Sequence, residues 1–119
     1  DADILAQIKA TGDDAGISTL AITVNDAATA AEGASIADAT DAVTVNFAVG
    51  VKDTFAKLTN GTNAVSDDMA NIAVKDNDVN VDVSGTVQLT SANIDAFNAL
   101  LEATGGTVTV TVMKIIIYF

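Results

Sequence analysis

Short runs in which Val or Ile alternates with Thr or Asn recur along this chain, and stretches with helical spacing of the apolar residues separate them. Period-two alternation is typical of a strand with one buried face, whereas spacings of three and four residues are typical of a helix. Strands that are connected by helices pair in parallel through crossover connections. We therefore expect an α/β fold. The extended runs are TLAITV (19–24), AVTVNFAV (42–49), VNVDV (79–83), TVQLT (86–90) and TVTVTVMKIIIYF (107–119).

The clearest helix–strand unit lies near the C-terminus. Thr90 or Ser91 is a candidate N-cap, and the pair Gly105-Gly106 is expected to end the helix and let the chain turn into the last strand. The predicted apolar stripe of this helix is formed by Ile94, Phe97 and Leu101. Looser units run from Val24 to Val43 and from Gly50 to Val74.

Strand starts near 19, 43, 71 or 79, and 107 give an irregular period of about 25 residues, which is typical of helix–strand repeats. We predict three or four units that form a largely parallel sheet or a short solenoid. Residues 1–119 would be a single domain or repeat segment, and an α+β fold with a mixed sheet is the alternative. Strict alternation in TVTVTV indicates that one face of the sheet is solvated.

The charge balance limits the classes of partner. Sixteen acidic residues face five lysines, for a net charge of −11. Phosphate groups would be repelled, so we expect no nucleic-acid partner. No run of eighteen apolar residues occurs, so we expect no membrane insertion. The chain begins at Asp1 without Met, and we expect a processed or excised segment.

The stretch VDVSGTVQLTSANIDAFNALLEATGGTVTVTV (81–112) resembles helix–strand repeats of very large secreted bacterial surface proteins. In that family V-S-G-T-V-x-L-T leads into a-N-I-D-A-x-N-A-L and a glycine turn. The resemblance implies an adhesin-like or surface-layer-like chain without catalytic residues. It does not imply calcium binding, because the glycine–aspartate nonapeptide of the family's calcium blocks is missing here.

Residues KDNDVNVDVS (75–84) place four oxygen-bearing side chains at every second position. This spacing matches the first ligands of a calcium loop, but Val81 and Val87 stand where such a loop needs Gly and Glu. The alternative is a strand with a wet face opposite Val79, Val81 and Val83, and we favour this reading. The candidate metal ligands are Asp76, Asp78, Asn80 and Asp82.

Catalysis finds little support in the sequence. Without His, no Ser or Thr has its usual activating base, and no G-x-S-x-G motif occurs. The pairs Asp13-Asp14 and Asp67-Asp68 are adjacent in sequence, so their side chains point apart, and a turn or N-cap role is the plainer one.

The C-terminal VMKIIIYF (112–119) is β-branched and aromatic with one Lys. It is either a buried central strand or a strand that pairs with another copy or a neighbouring repeat. The candidate association strand contains Val112, Ile115, Ile116, Ile117, Tyr118 and Phe119.

These observations predict a non-enzymatic structural or adhesive repeat module of an exported surface or filament protein, located outside the cell or on its surface. Self-association or neighbouring repeats would be its partners. A calcium-dependent module that binds glycan or protein is the second hypothesis, and a small hydrolase is the third. No cofactor is expected apart from calcium under the second hypothesis.

Overall fold

The structure is a computed structural model that describes residues 21–39 and 44–116. Helices and strands are mixed along these residues, which confirms the predicted α/β composition. The strands are β1 (Ala21–Val24), β2 (Thr44–Phe47), β3 (Val51–Thr54), β4 (Val81–Leu89) and β5 (Val108–Ile115). The helices are α1 (Ala30–Ala39), α2 (Phe55–Leu58), α3 (Asp67–Lys75) and α4 (Ile94–Ala103).

The named strands form two small sheets, in the orders β1-β2 and β3-β4-β5, and all their pairings are parallel. Three connections contain helices: α1 links β1 to β2, α2 and α3 link β3 to β4, and α4 links β4 to β5. Such crossovers are what parallel neighbours require, so the prediction of parallel strands joined by helices is confirmed.

Backbone hydrogen bonds join the two sheets. Ala28 forms a parallel bridge with Val51; its N–H donates to Gly50 O at 3.1 Å, and its carbonyl accepts from Lys52 N at 2.8 Å. Ala21 pairs with Thr44, and both this pair and the Ala28–Val51 pair are 23 residues apart (44 − 21 and 51 − 28). Four passes of the chain therefore lie side by side in sequence order: 21–28, 44–54, 81–89 and 108–115.

One hydrophobic cluster holds this arrangement together. In β4 the buried residues alternate with half-buried or exposed ones, as expected for a strand with one buried face. Residues of all four helices belong to the same cluster. This indicates that the helices cover one face of the strands. Its most deeply buried side chains include Leu58, Met69, Ile72, Leu100, Val45, Val51, Val81, Val83 and Val87.

Two local predictions were wrong, and one strand was not predicted. The runs 79–83 and 86–90 form one strand, β4, because Gly85 with φ +76° accommodates a register shift between Val83 and Thr86 instead of a turn. β3 was not predicted, since its four residues are extended through pairing with Ala28 on one side and β4 on the other.

The other wrong prediction concerns α4. Its N-cap is Asn93 rather than Thr90 or Ser91, and a turn over 91–93 precedes it. Its buried residues are Ala96 and Leu100, whereas Ile94 and Leu101 are 37% and 44% exposed. The predicted stripe is therefore only partly buried, because this helix packs on the cluster through Ala96 and Leu100, which are four residues apart.

Candidate functional site

The candidate site is a series of three segments that lead into strands: one runs from the end of β2 to β3, and the other two each connect a helix to the next strand. We call residues 46–50, 76–80 and 104–107 the stacked turns, because each is hydrogen-bonded to its neighbour. Val51 N donates to Asn80 O at 2.9 Å, and Val81 N donates to Thr107 O at 2.8 Å. These bonds continue the backbone pairing of the sheet into the turns, so the turns fix the spacing of successive strands.

Side chains of the stacked turns also bond to the backbone of the neighbouring turn. The Oδ1 atom of Asn80 accepts from Thr107 N at 2.9 Å. The hydroxyl of Thr104 donates to Val79 O, next to a backbone bond from Gly105 N to Asn77 O at 2.8 Å. Because their polar groups are directed at backbone partners, these side chains perform a structural role.

Two glycines allow the close approach of neighbouring turns. Gly50 has φ +113°, and a Cβ there would overlap the carbonyl oxygen of Asn80. A Cβ on Gly106 would overlap the carbonyl oxygen of Asp78 and lie 2.5 Å from that of Val79. Backbone atoms cannot move aside as a flexible side chain can, so both positions require glycine.

Asp76 connects the end of α3 to the end of β2. It is the C-cap of α3, only 7% exposed, and its Oδ2 atom accepts a hydrogen bond from Phe47 N at 2.8 Å. Burial raises its pKa above the ordinary value of 3.8, and a side-chain hydrogen bond and charge repulsion from Asp78 raise it further. The bond from Phe47 opposes this shift by stabilising the charged carboxylate.

Two substitutions of Asp76 should separate the contribution of its hydrogen bond from that of its charge. Asp76→Ala removes the acceptor of Phe47 N and should lower the free energy of unfolding by about 1–3 kcal/mol. Asp76→Asn keeps an amide oxygen as acceptor and should retain most of the stability at pH 7. Urea unfolding of both variants measures the difference, and equal losses in the two variants would contradict the assigned hydrogen bond.

The pH dependence follows from the direction of the pKa shift. The folded state binds the Asp76 proton more tightly than the unfolded chain does, because the pKa is raised on folding. The contribution of Asp76 is therefore most favourable at low pH and is lost as the pH rises through the raised pKa. Wild type should therefore lose stability relative to Asp76→Asn as the pH rises from below the ordinary Asp pKa of 3.8 through the raised value.

The four candidate metal ligands do not lie along one strand. Asp76 ends α3, Asp78 is exposed in the following turn, and Asn80 precedes β4. Only Asp82 lies within a strand. The predicted strand-face geometry for the whole stretch was therefore wrong, because α3 continues to Lys75 and β4 begins only at Val81. Val79, Val81 and Val83 are buried, as the strand hypothesis predicted.

Within residues 21–39 and 44–116, no group of three or more acidic side chains could hold a metal ion. Asp76 and Asp78 are the two candidate ligands whose side chains interact. Oxygen atoms of Asp76 and Asn80 already accept backbone hydrogen bonds. The calcium hypothesis stays a prediction that these contacts do not support.

The solvated face of the sheet carries a cross-strand row of polar residues. Lys52 pairs in register with Asp82, which in turn pairs with Thr109. A shallow depression of about 270 Å³ lies beside this row, lined by Val49, Asn80, Val81, Asp82, Thr107 and Thr109. It is smaller and more open than the clefts that usually enclose small ligands.

The candidate association strand is an edge strand among the described residues, where β5 pairs only with β4. Val112 is 45% exposed and Ile115 is 68% exposed, whereas Ile116 is half-buried and donates its N–H to Leu89 O at 3.0 Å. Met113, which the sequence analysis did not single out, is 40% exposed. Ile117, Tyr118 and Phe119 lie outside the described residues.

Two further contacts were missed from the sequence. Thr29 and Glu32 form a reciprocal capping pair at the start of α1, for which the T-x-x-E spacing was a readable signal. The carboxylate of Asp53 accepts from Ala30 N at 3.0 Å, a contact between residues 23 positions apart for which the local sequence gives no signal.

Comparisons of the chain with protein-family models, with curated proteins and with solved structures gave no match. Among the described helices, none has the length and apolar character needed to cross a membrane.

Proposed function

We propose that the chain is a non-enzymatic structural and adhesive repeat module of an exported surface or filament protein. The observation that carries the proposal is the order of the four passes 21–28, 44–54, 81–89 and 108–115, which follow each other in sequence and pair in parallel. In a solenoid, each added helix–strand unit extends the stack of strands by one position, and a sequential parallel order of passes is what such a repeat would produce.

The spacing of the passes supports a repeat. Ala28, Val51, Val81 and Val108 are consecutive partners across the sheet, at separations of 23, 30 and 27 residues (51 − 28, 81 − 51 and 108 − 81). These separations lie within the range of known repeat units. Right-handed crossovers that always advance in one direction place their helices on one face, which agrees with the alternating burial of β4.

The use of the polar side chains favours a structural role over a catalytic one. Asp76, Asn80 and Thr104 bond to the backbone of neighbouring turns instead of converging on a cavity. The sequence contains neither His nor Cys, so the usual base and the strongest nucleophile are missing from the whole chain. In this role the hydrogen bonds between turns would carry load from one unit to the next.

Location outside the cell is supported by composition and by the resemblance of 81–112 to surface-protein repeats. A net charge of −11 keeps a long, repetitive chain soluble and separates it from anionic surfaces.

Antibody labelling of intact cells of the source organism tests this proposal. Antibodies raised against the purified chain should label the surface of unpermeabilised cells, and brief external protease treatment should remove the label. Labelling that requires permeabilisation would contradict export to the surface, and an antibody against a cytoplasmic protein serves as the control for cell integrity.

A calcium titration separates this proposal from the calcium-dependent alternative. A ligand at a hundredfold excess over its Kd stabilises the folded state by about 2.7 kcal/mol. We expect the thermal unfolding midpoint of the chain to be the same in millimolar calcium as in an equal concentration of magnesium. A calcium-specific increase that Asp78→Asn abolishes would favour the binding module instead.

A further inference from the structure

We propose that the outer edge of β5 pairs with the β5 strand of a second copy of this chain, antiparallel and about a twofold axis. This goes beyond the proposed function, because it requires only the described edge and neither export nor adhesion. The pairing would join two parallel sheets into one continuous sheet. A twofold contact uses the same edge in both copies, so it needs no second docking surface.

The chemistry of the edge requires an extended partner. β5 is eight residues long, and within the described residues its backbone groups pair on one side only, with β4. The remaining N–H and C=O groups of such an edge are satisfied repeatedly by another strand, as in β-augmentation. A helix cannot supply this pattern, because its own backbone groups are bonded internally.

Apolar side chains on β5 extend the covered rows of β4 without being covered themselves. Met113 and Ile115 pair with Val87 and Leu89, which are 1% and 7% exposed. Met113 and Ile115 are nevertheless 40% and 68% exposed. Paired residues share a face of the sheet, so the layer of side chains that buries this face of β4 does not extend over β5. A second copy would bury the exposed residues of β5.

The charge pattern favours a partner strand without acidic residues, and β5 itself meets this requirement. From Thr104 to Ile116 the only charged residue is Lys114, in a chain with sixteen acids. An acid-bearing strand would cost desolvation at this apolar edge, whereas β5 brings only Thr, Val, Met, Ile and Lys. In an antiparallel pair centred on Val112, each Lys114 faces Val110, and the two lysines are separated by about four residues, or ~13 Å.

This interface is small, so we expect a weak dimer that depends on concentration. Each copy carries a net charge of −11, and the two bodies repel each other. Added salt screens this repulsion and should strengthen the dimer. A contact in which Lys114 of one copy meets acids of another would instead weaken with salt, so the sign of the salt effect distinguishes the two.

Sedimentation equilibrium of the full chain from micromolar to millimolar concentration, at low and at high sodium chloride, tests the proposal. Wild type should form a dimer whose fraction rises with salt. Ile115→Lys should raise the dimer dissociation constant about tenfold or more, because a lysine on an edge strand disfavours pairing. Val74→Lys is the control: it also replaces an apolar side chain by lysine, at a 79% exposed residue on α3, and should leave dimerisation unchanged.

The chain has no cysteine, so a single engineered thiol reports the geometry. Val112→Cys, which lies opposite its own copy at the centre of the antiparallel pair, should form a disulfide-linked dimer on mild oxidation, and Asn98→Cys on the exposed side of α4 should not. A wild-type chain that stays monomeric at millimolar concentration in high salt would overturn the proposal. Equal dimerisation of Ile115→Lys and wild type would do so as well, and both measurements on wild type stand even if a variant fails to fold.

Discussion

Gly106→Ala is expected to lower the free energy of unfolding by about 3 kcal/mol or more, although it adds a single methyl group. The added Cβ would overlap the carbonyl oxygen of Asp78 and lie 2.5 Å from that of Val79, and both atoms belong to backbone that is held in the adjacent turn. Relief of this clash would require the turns to separate, with loss of the bond from Val81 N to Thr107 O. Urea or guanidinium unfolding, monitored by circular dichroism, gives the value.

The control for this variant is its neighbour. A Cβ on Gly105 would meet no atom closer than the carbonyl oxygen of Asn77, at 3.6 Å, which is an ordinary contact. Gly105→Ala should therefore change stability by about 0.5 kcal/mol or less. Equal losses at the two positions would show that the turns do not lie as close together as described.

Ile72→Ala is expected to cost about 2–5 kcal/mol, because it leaves a cavity where α3 packs on the cluster. Ile72 is 0% exposed, and its Cδ1 atom lies close enough to Gly33 that a Cβ there would be 2.7 Å away. The two helices α1 and α3, which belong to different connections, meet at this point. Loss of the side chain should therefore weaken the contact between two successive units.

Val74→Ala is the control on the same helix. Val74 is 79% exposed, and alanine has a higher helix propensity than valine, so stability should stay within about 0.5 kcal/mol of wild type. Thermal or denaturant unfolding of both variants gives the comparison. A loss at Val74 as large as at Ile72 would contradict the assigned orientation of α3.

Elements whose signals are local were predictable from the sequence. TVTVTV identified β5, and Gly105-Gly106 correctly ended α4 at Ala103. β3 has no such signal, because VKDT is extended only through its neighbours on both sides. Its pairing partners lie 23 and 30 residues away (51 − 28 and 81 − 51), beyond the range of any local pattern.

The candidate metal stretch shows why a local pattern can mislead. Alternation from Asp76 to Asp82 predicted one extended segment, but the helical preference of the preceding residues continues α3 to Lys75. Asp76 consequently became a buried cap that binds Phe47 N, a partner 29 residues earlier in the chain. The alternation was informative only from Val79 onward, where burial of the valines decides the face.

Among the described residues, four passes of the chain lie side by side in parallel and in sequence order, and the Ala28–Val51 bridge joins the two sheets. Through-hydrogen-bond NMR couplings between amide nitrogen and carbonyl carbon test this arrangement directly. The arrangement predicts couplings from Lys52 N–H to Ala28, from Val51 N–H to Asn80 and from Val81 N–H to Thr107. Couplings that instead link these amides to antiparallel partners, or that leave Ala28 unconnected to Lys52, would contradict the account.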